Sequence, residues 1–404
     1  MRICLVSQEY PPGYVGGIGT QTRVKALGLL AQGHEVEVLT AGEETGPALA
    51  TRQDDGVTVH ALRPPGGAFP LHSTAAYWLG YTWSVLTALR SLGEQRLLDV
   101  IDFPDYAAEG LAYQLDRPEE DPTAVVVHLH GSLAMFSEQI GWPPADDPLL
   151  RIGTFMEDTS VETADGLLAA SHSIAELTSA RLEIAPDLID VVAGAVDSDI
   201  FTPAPADRTR APKLLFVGNL VPNKGVATVL EAFIRLAGEH PELTLELAGS
   251  ADADVADELR GRAERAGLGD RVTVLGFVEH SDLPGLYRSA DVFAAPSRYE
   301  GGLGLVYLEA MACGLPVVAT AAGGAAEAIE DGETGLLLER GDVEETTAAI
   351  GALLRDPAQR ARMGAAGRER VCAHYTPERY AAKVSSAYER AIERRRGSPL
   401  VRTA

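Results

Sequence analysis

Residues 294–327 read AAPSRYEGGLGLVYLEAMACGLPVVATAAGGAAE, and the punctuation of this stretch decides the fold. Two carboxylates, Glu300 and Glu309, flank glycines that open onto an apolar helix. Gly314-Leu315-Pro316 stops that helix, because Gly caps helix C-termini and a nearby Pro resists continuation. Residues 316–320 then read as a short buried strand, and Gly323-Gly324 as the turn after it. A Gly-rich backbone at a helix N-terminus suits a phosphate, since free N–H groups and the helix dipole both point at it. A carboxylate inside the helix can accept hydrogen bonds from sugar hydroxyls. Parts for a diphosphate and for a polyol in one segment point to a nucleotide-sugar.

Outward from this stretch, strands alternate with amphipathic helices, which predicts α/β domains with parallel sheets covered on both faces. In the first half, residues 2–7, 35–40, 124–130, 167–170 and 188–192 read as strands, and residues 20–32 as a helix stopped at Gly33. The Pro-rich residues 201–207 read as a linker. A second unit opens with the strand Lys213-Leu214-Leu215-Phe216-Val217-Gly218 and continues with strands at 243–248, 272–275 and 292–295. A chain of 404 residues exceeds one ordinary core, so two Rossmann-like domains are expected, residues 1–205 and 206–376. Ligands of open parallel sheets bind beyond the carboxyl ends of the strands, which places the site loops there.

The quoted stretch resembles the donor-site motif of the family 4 retaining glycosyltransferases, which have the two-domain GT-B fold with a central cleft. Ser297, Glu300, Gly304, Leu305, Leu308 to Ala312, Gly314, Pro316 to Thr320, Gly323, Gly324 and Glu327 carry the resemblance. The family separates its two glutamates by seven residues, whereas eight lie between Glu300 and Glu309. Counting back from Glu309 therefore puts Gly301 at the first carboxylate position; either the loop bulges and Glu300 still reaches the site, or that role is lost. Gly301-Gly302 gives the backbone freedom to bulge. The resemblance implies that Gly301, Gly302, Leu303, Gly304 and Leu305 border the donor, that Glu309 holds the ribose, and that Glu300 contacts the donor sugar. It also implies a final segment, residues 377–404, whose helix crosses back over the first domain.

Other segments carry the same resemblance. Gly16 and Gly17, in the loop of residues 11–19, match the loop whose amides approach the donor diphosphate. A dinucleotide fingerprint is the rival reading, but Gly17-x-Gly19 is followed by Thr22 where a third Gly belongs, and the loop is too long. Phe216–Gly225 matches the segment whose Arg and Lys grip the diphosphate; Lys224 is present, with Asn219 in place of the Arg, so one cationic contact becomes a neutral donor. Phe277 and Val278 match the loop that holds the nucleobase. His130 ends a strand where relatives place a catalytic His, with His128 on the same face as a core residue. Asp102, Asp105 and Glu109 follow another strand end and are candidates for acceptor hydroxyls or amines; helix capping by Asp105 is the competing reading.

The net charge of −24 argues against nucleic acid and against anionic membrane surfaces. Residues 1–205 hold 10 basic and 29 acidic side chains, a balance of −19, and the remainder holds 24 and 29, or −5. The first half therefore favours a soluble and cationic acceptor, such as an aminocyclitol or amino sugar, over a lipid; an acidic solubilising surface with no message about substrate is the plain alternative. No apolar run approaches membrane-spanning length, and the N-terminus does not read as a signal peptide. Cys4, Cys313 and Cys372 form no metal or disulfide spacing, which with the rest points to the cytoplasm. The resemblance implies no required metal and no cofactor besides the donor substrate, and Asp252-Ala253-Asp254 reads as surface. The expected activity is sugar transfer from a nucleoside-diphosphate donor with retention. A GT-B epimerase or phosphorylase, or a non-catalytic nucleotide-sugar-binding protein, is the alternative.

Overall fold

The computed structural model describes residues 1–12, 16–65, 73–204, 211–339 and 341–397. The chain forms two compact units, residues 1–194 with 377–404, and residues 195–376. The expected boundary at 205/206 and the middle of the first glycine loop lie outside the described residues.

The first unit begins β1 (Arg2–Val6), α1 (Gly17–Ala31), β2 (Glu35–Ala41), β3 (Leu49–Asp54), β4 (Val57–Leu62) and α2 (Thr74–Gln95). It continues β5 (Val100–Pro104), α3 (Leu111–Asp116), β6 (Ala124–Leu129), α4 (Leu133–Ile140) and α5 (Pro148–Glu162). Then follow β7 (Gly166–Ala169), α6 (His172–Leu182) and β8 (Ile189–Val191). Its sheet order is β3-β4-β2-β1-β5-β6-β7-β8. β3 pairs antiparallel with β4, against the all-parallel expectation. The cause is local: Asp55 and Gly56 both have positive φ, and a two-residue turn of that kind folds a strand back on itself.

The second unit holds β9 (Lys213–Val217), α7 (Val226–Leu236), β10 (Thr244–Ala248), α8 (Ala253–Arg265) and β11 (Val272–Gly276). After these come α9 (Leu283–Ser289), β12 (Val292–Ala295), α10 (Leu305–Ala312), β13 (Val317–Thr320) and α11 (Ala325–Ala328). β14 (Gly335–Leu338), α12 (Val343–Arg355) and α13 (Pro357–His374) complete it. Its sheet runs β11-β10-β9-β12-β13-β14 with every pairing parallel. α7 shows the logic of the covering helices: Val226, Val229, Leu230, Phe233 and Leu236 are buried at helical spacing and form one apolar face.

The second unit begins at Ala195, so Phe201 and Thr202, the start of the expected linker, fall inside it. The Phe201 ring is buried and packs on Tyr287 and His280 at centroid distances of 6.0 and 5.4 Å. Arg368 fastens the same segment through the Phe201 and Ser198 carbonyls. Proline content marked a rigid stretch, but the aromatic anchor inside it decides where it packs.

α14 (Pro377–Gly397) belongs to the first unit. Tyr380, Ala381, Val384, Tyr388, Ala391 and Ile392 form its buried face. Small residues set the approach: a Cβ on Gly28 of α1 would lie 2.7 Å from the Ala381 Cβ. His34 meets Ser385 at 2.9 Å, and Arg390 pairs with Asp190 at 2.7 Å.

Candidate functional site

In the second unit, two loops at the carboxyl ends of β9 and β12 are joined. The Arg298 amide donates to the Asn223 carbonyl at 2.8 Å, and Gly225 sits against Pro296. Gly225 has φ +79°, and a Cβ there would lie 2.4 Å from the Pro296 carbonyl oxygen. The junction brings Lys224 to Glu300, Nζ to Oε1, at 2.7 Å. Gly225→Ala combines left-handed strain with overpacking, so it should cost about 2–5 kcal/mol in thermal or urea unfolding. A wild-type midpoint for this variant would remove the close approach as the cause.

The loop from Glu300 to Gly304 is pinned from its other side by Gly323 and Gly324. The Gly324 amide donates to the Glu300 carbonyl at 2.9 Å, and Glu300 bridges Gly323. A Cβ on Gly324 would lie 2.3 Å from the Gly302 carbonyl oxygen. In this loop the Glu300 carboxylate turns to Lys224, and Gly301 is buried. Leu303 is buried, and Leu305 starts α10 after Gly304 without a side-chain cap. The first amides of α10 lack intrahelical acceptors, as at any helix start.

Glu309, inside α10, is only 3% exposed. Its Oε1 takes His280 Nε2 at 2.9 Å and its Oε2 takes the Tyr287 hydroxyl at 2.8 Å. Burial and the neighbouring Glu309 carboxylate hold the Tyr287 hydroxyl well above its ordinary range, so it stays a donor. His280 and Tyr287 are absent from the sequence reading. Phe277 and Asn219 are exposed, and Val278 is half-buried.

In the first unit, the structure separates the predicted residues into different roles. The Gly16 amide is already engaged, donating to Glu9 Oε2 at 2.6 Å, so of the two predicted glycines Gly17 is the exposed one. Asp102 lies within β5, not in the loop after it, and is 3% exposed. Lys25 Nζ reaches Asp102 Oδ2 at 2.8 Å and His128 Nδ1 at 2.9 Å, and the Tyr388 hydroxyl of α14 donates to the same aspartate oxygen. Asp105 is buried as well. Its carboxylate accepts the amides of Tyr106, His130 and Gly131 at 2.9, 2.8 and 3.1 Å. Both aspartates are thus engaged within their own unit, Asp102 by Lys25 and Tyr388 and Asp105 by three backbone amides. Asp105 keeps a raised value of about 6, because burial outweighs those amides.

His130 stacks on His128 with ring centroids 4.3 Å apart. Desolvation, with the Lys25 ammonium second, pushes His130 down to about 3, so its imidazole is neutral at neutral pH. Glu109 keeps the strongest claim of the three acids. It is 4% exposed, its Oε1 takes the Gln8 amide at 3.0 Å, and its Oε2 has no partner among the described residues.

Burial, with Glu9 adding to it, pushes the Glu109 carboxyl up to about 8, from an ordinary 4.5. Between those values the unfolded chain has released a proton that the folded chain still binds, so stability falls as pH rises through this window. Glu109→Gln should flatten that fall, read as unfolding midpoint against pH from about 5 to 8. An unchanged slope would remove Glu109 as its source.

The chain matches two family profiles, "Glycosyl transferase 4-like domain" over residues 16–195 and "Glycosyl transferases group 1" over residues 198–370. It is 30% identical over 399 residues to a glycogen synthase of Mycobacterium tuberculosis, covering 96% of this chain and 94% of that one. It is 32% identical to a D-inositol 3-phosphate glycosyltransferase of Arthrobacter sp., covering 88% of this chain and 85% of that one. Among solved structures, sucrose-phosphate synthase from Thermosynechococcus elongatus superimposes with a TM-score of 0.80 at 25% identity, covering 97% and 99%. No helix among the described residues is long and apolar enough to cross a membrane. With two parallel-sheet units, a glycine loop feeding α10 and a carboxylate inside that helix, the chain belongs to the group 1, family 4 glycosyltransferases and has their GT-B fold.

Proposed function

We propose that the enzyme moves a sugar, with retention of anomeric configuration, from a UDP- or GDP-linked donor on the second unit to a hydroxyl of a small soluble acceptor. The observation that carries this reading is the Lys224–Glu300 pair at the start of the loop that leads into α10. As the glycosidic C–O bond breaks, the oxygen leaves with the diphosphate and negative charge grows there. Lys224 and the first amides of α10 stabilise that charge. Glu300 contacts the donor sugar, and Asn219 supplies a neutral donor to the phosphates. Phe277 and Val278 border the nucleobase. The departing phosphate takes the acceptor proton.

Glu309 holds the ribose, with His280 and Tyr287 fixing the carboxylate so that its remaining lone pairs face the hydroxyls. Glu309→Ala should weaken donor binding by about 1.5–3 kcal/mol, a charged hydrogen bond lost. Calorimetry with UDP and GDP checks this, and unchanged affinity would take Glu309 out of the site. The activity itself is tested by incubating the chain with UDP- and GDP-sugars and a panel of amino sugars and cyclitols. Transferred glycoside is the expected product; free nucleotide-sugar isomers or sugar phosphate alone would point instead to an epimerase or phosphorylase.

A further inference from the structure

We propose that the first unit carries a subsite for an acceptor's ammonium group, formed by Glu9, Glu109 and the Tyr77–Tyr81 ring pair beyond the carboxyl ends of β1 and β5. This deepens the proposed function and rests on it, since it names the chemical class of acceptor.

The Gln8 amide on Glu109 Oε1 places that carboxyl against the second residue after β1, the chain neighbour of Glu9. Glu9 is half-buried and held in place by the Gly16 amide at 2.6 Å. Glu109 Oε2 is buried without a partner among the described residues, and so is the hydroxyl of Tyr81, which is fully buried. Tyr77 stacks on Tyr81 with centroids 6.2 Å apart. Glu109 raises the titration of both tyrosines, after burial, so the ring pair lies within electrostatic reach of that carboxyl; Glu44 adds to Tyr77. The segment that delivers Glu109 is itself unusual, with Ala107 and Ala108 at φ +65° and +47°.

These groups want donors and positive charge. An ammonium brings three donors and no acceptor, so it satisfies carboxylate and phenol oxygens together. It lets Glu109 ionise beside Glu9 by offsetting both charges, and aromatic faces attract it further. A hydroxyl brings one donor and leaves both acids uncompensated. A phosphate is repelled. The balance of −19 over residues 1–205 raises the local concentration of cations in the same direction.

A cation beside Glu109 favours its carboxylate, so binding at pH 7 should release about one proton. The test is calorimetry on the full chain with 2-deoxystreptamine and glucosamine, against myo-inositol and glucose as neutral ring matches, in buffers of different ionisation heat. We expect the amines to bind about tenfold or more tighter than their matches, with proton release. Glu109→Gln should abolish both the preference and the release, and Glu9→Gln, at a half-buried position, should weaken the preference several-fold. Equal affinities, no detectable amine binding, or a preference kept in a folded Glu109→Gln protein would overturn the subsite. Thermal shift with UDP, GDP and ADP on the same samples separates the two readings. Nucleotide stabilisation without amine preference overturns the subsite alone, whereas amine binding with no nucleotide response overturns the donor reading.

Discussion

Lys25→Met should destabilise the first unit by about 3–5 kcal/mol, the cost of leaving a buried charge without its partner. The Lys25 and Asp102 side chains are only 5% and 4% exposed. The ammonium serves Asp102 and His128 at once, and the Tyr388 hydroxyl closes the aspartate from α14. A methionine fills the space but strands the Asp102 carboxylate in an apolar surrounding. Lys25→Met/Asp102→Asn should recover part of the loss, because the stranded charge is then gone. Urea unfolding of the single and double variants checks both statements. A single variant within about 1 kcal/mol of wild type would show that the pair contributes little. Because His128 stacks on His130, the same variant should also disturb the His130 ring.

Lys224→Ala should lower kcat by about 10²–10³ with a much smaller change in donor KM, as expected for a group that acts on developing charge. Two effects combine. Under the proposed function the cation that meets the departing diphosphate is lost, and Glu300, 13% exposed and paired to Lys224 at 2.7 Å, is left without its counter-charge. Lys224→Arg keeps the charge and should retain more activity than the alanine variant, though not all, since a planar fork replaces a compact ammonium. Glu309→Ala provides the contrast, with its loss in binding. An unaltered kcat in Lys224→Ala would remove the leaving-group role.

Both the two-unit α/β architecture and the helix–strand–turn course of residues 305–324 were legible because they are written in local signals. The helix before Gly314, the Gly314 stop and the strand that leads to the Gly323-Gly324 turn fall where spacing placed them. What escaped was longer-range or overridden. Asp55-Gly56 announced the β3–β4 hairpin, but a rule about alternating elements spoke louder than two turn residues. Phe201 sat inside a proline-rich run, so composition suggested a linker where an aromatic anchor packs. Tyr287 and His280 reach Glu309 across 22 and 29 positions, with no local pattern to mark them. Asp102 and Asp105 looked like site residues because they follow a strand. Only the fold shows Lys25 and the 130–131 amides consuming them.

The first unit is built from two stretches of sequence, and α14 supplies both a wall of its core and the hydroxyl over Asp102. On the ribosome, residues 1–194 therefore emerge without the helix that completes them, and residues 195–376 must be polymerised before it appears. At about 5–20 residues per second that interval lasts roughly 10–40 s. The continuous unit can finish folding first, reversing the usual order of vectorial synthesis, while the nascent N-terminal half keeps an unshielded apolar face that chaperones can hold.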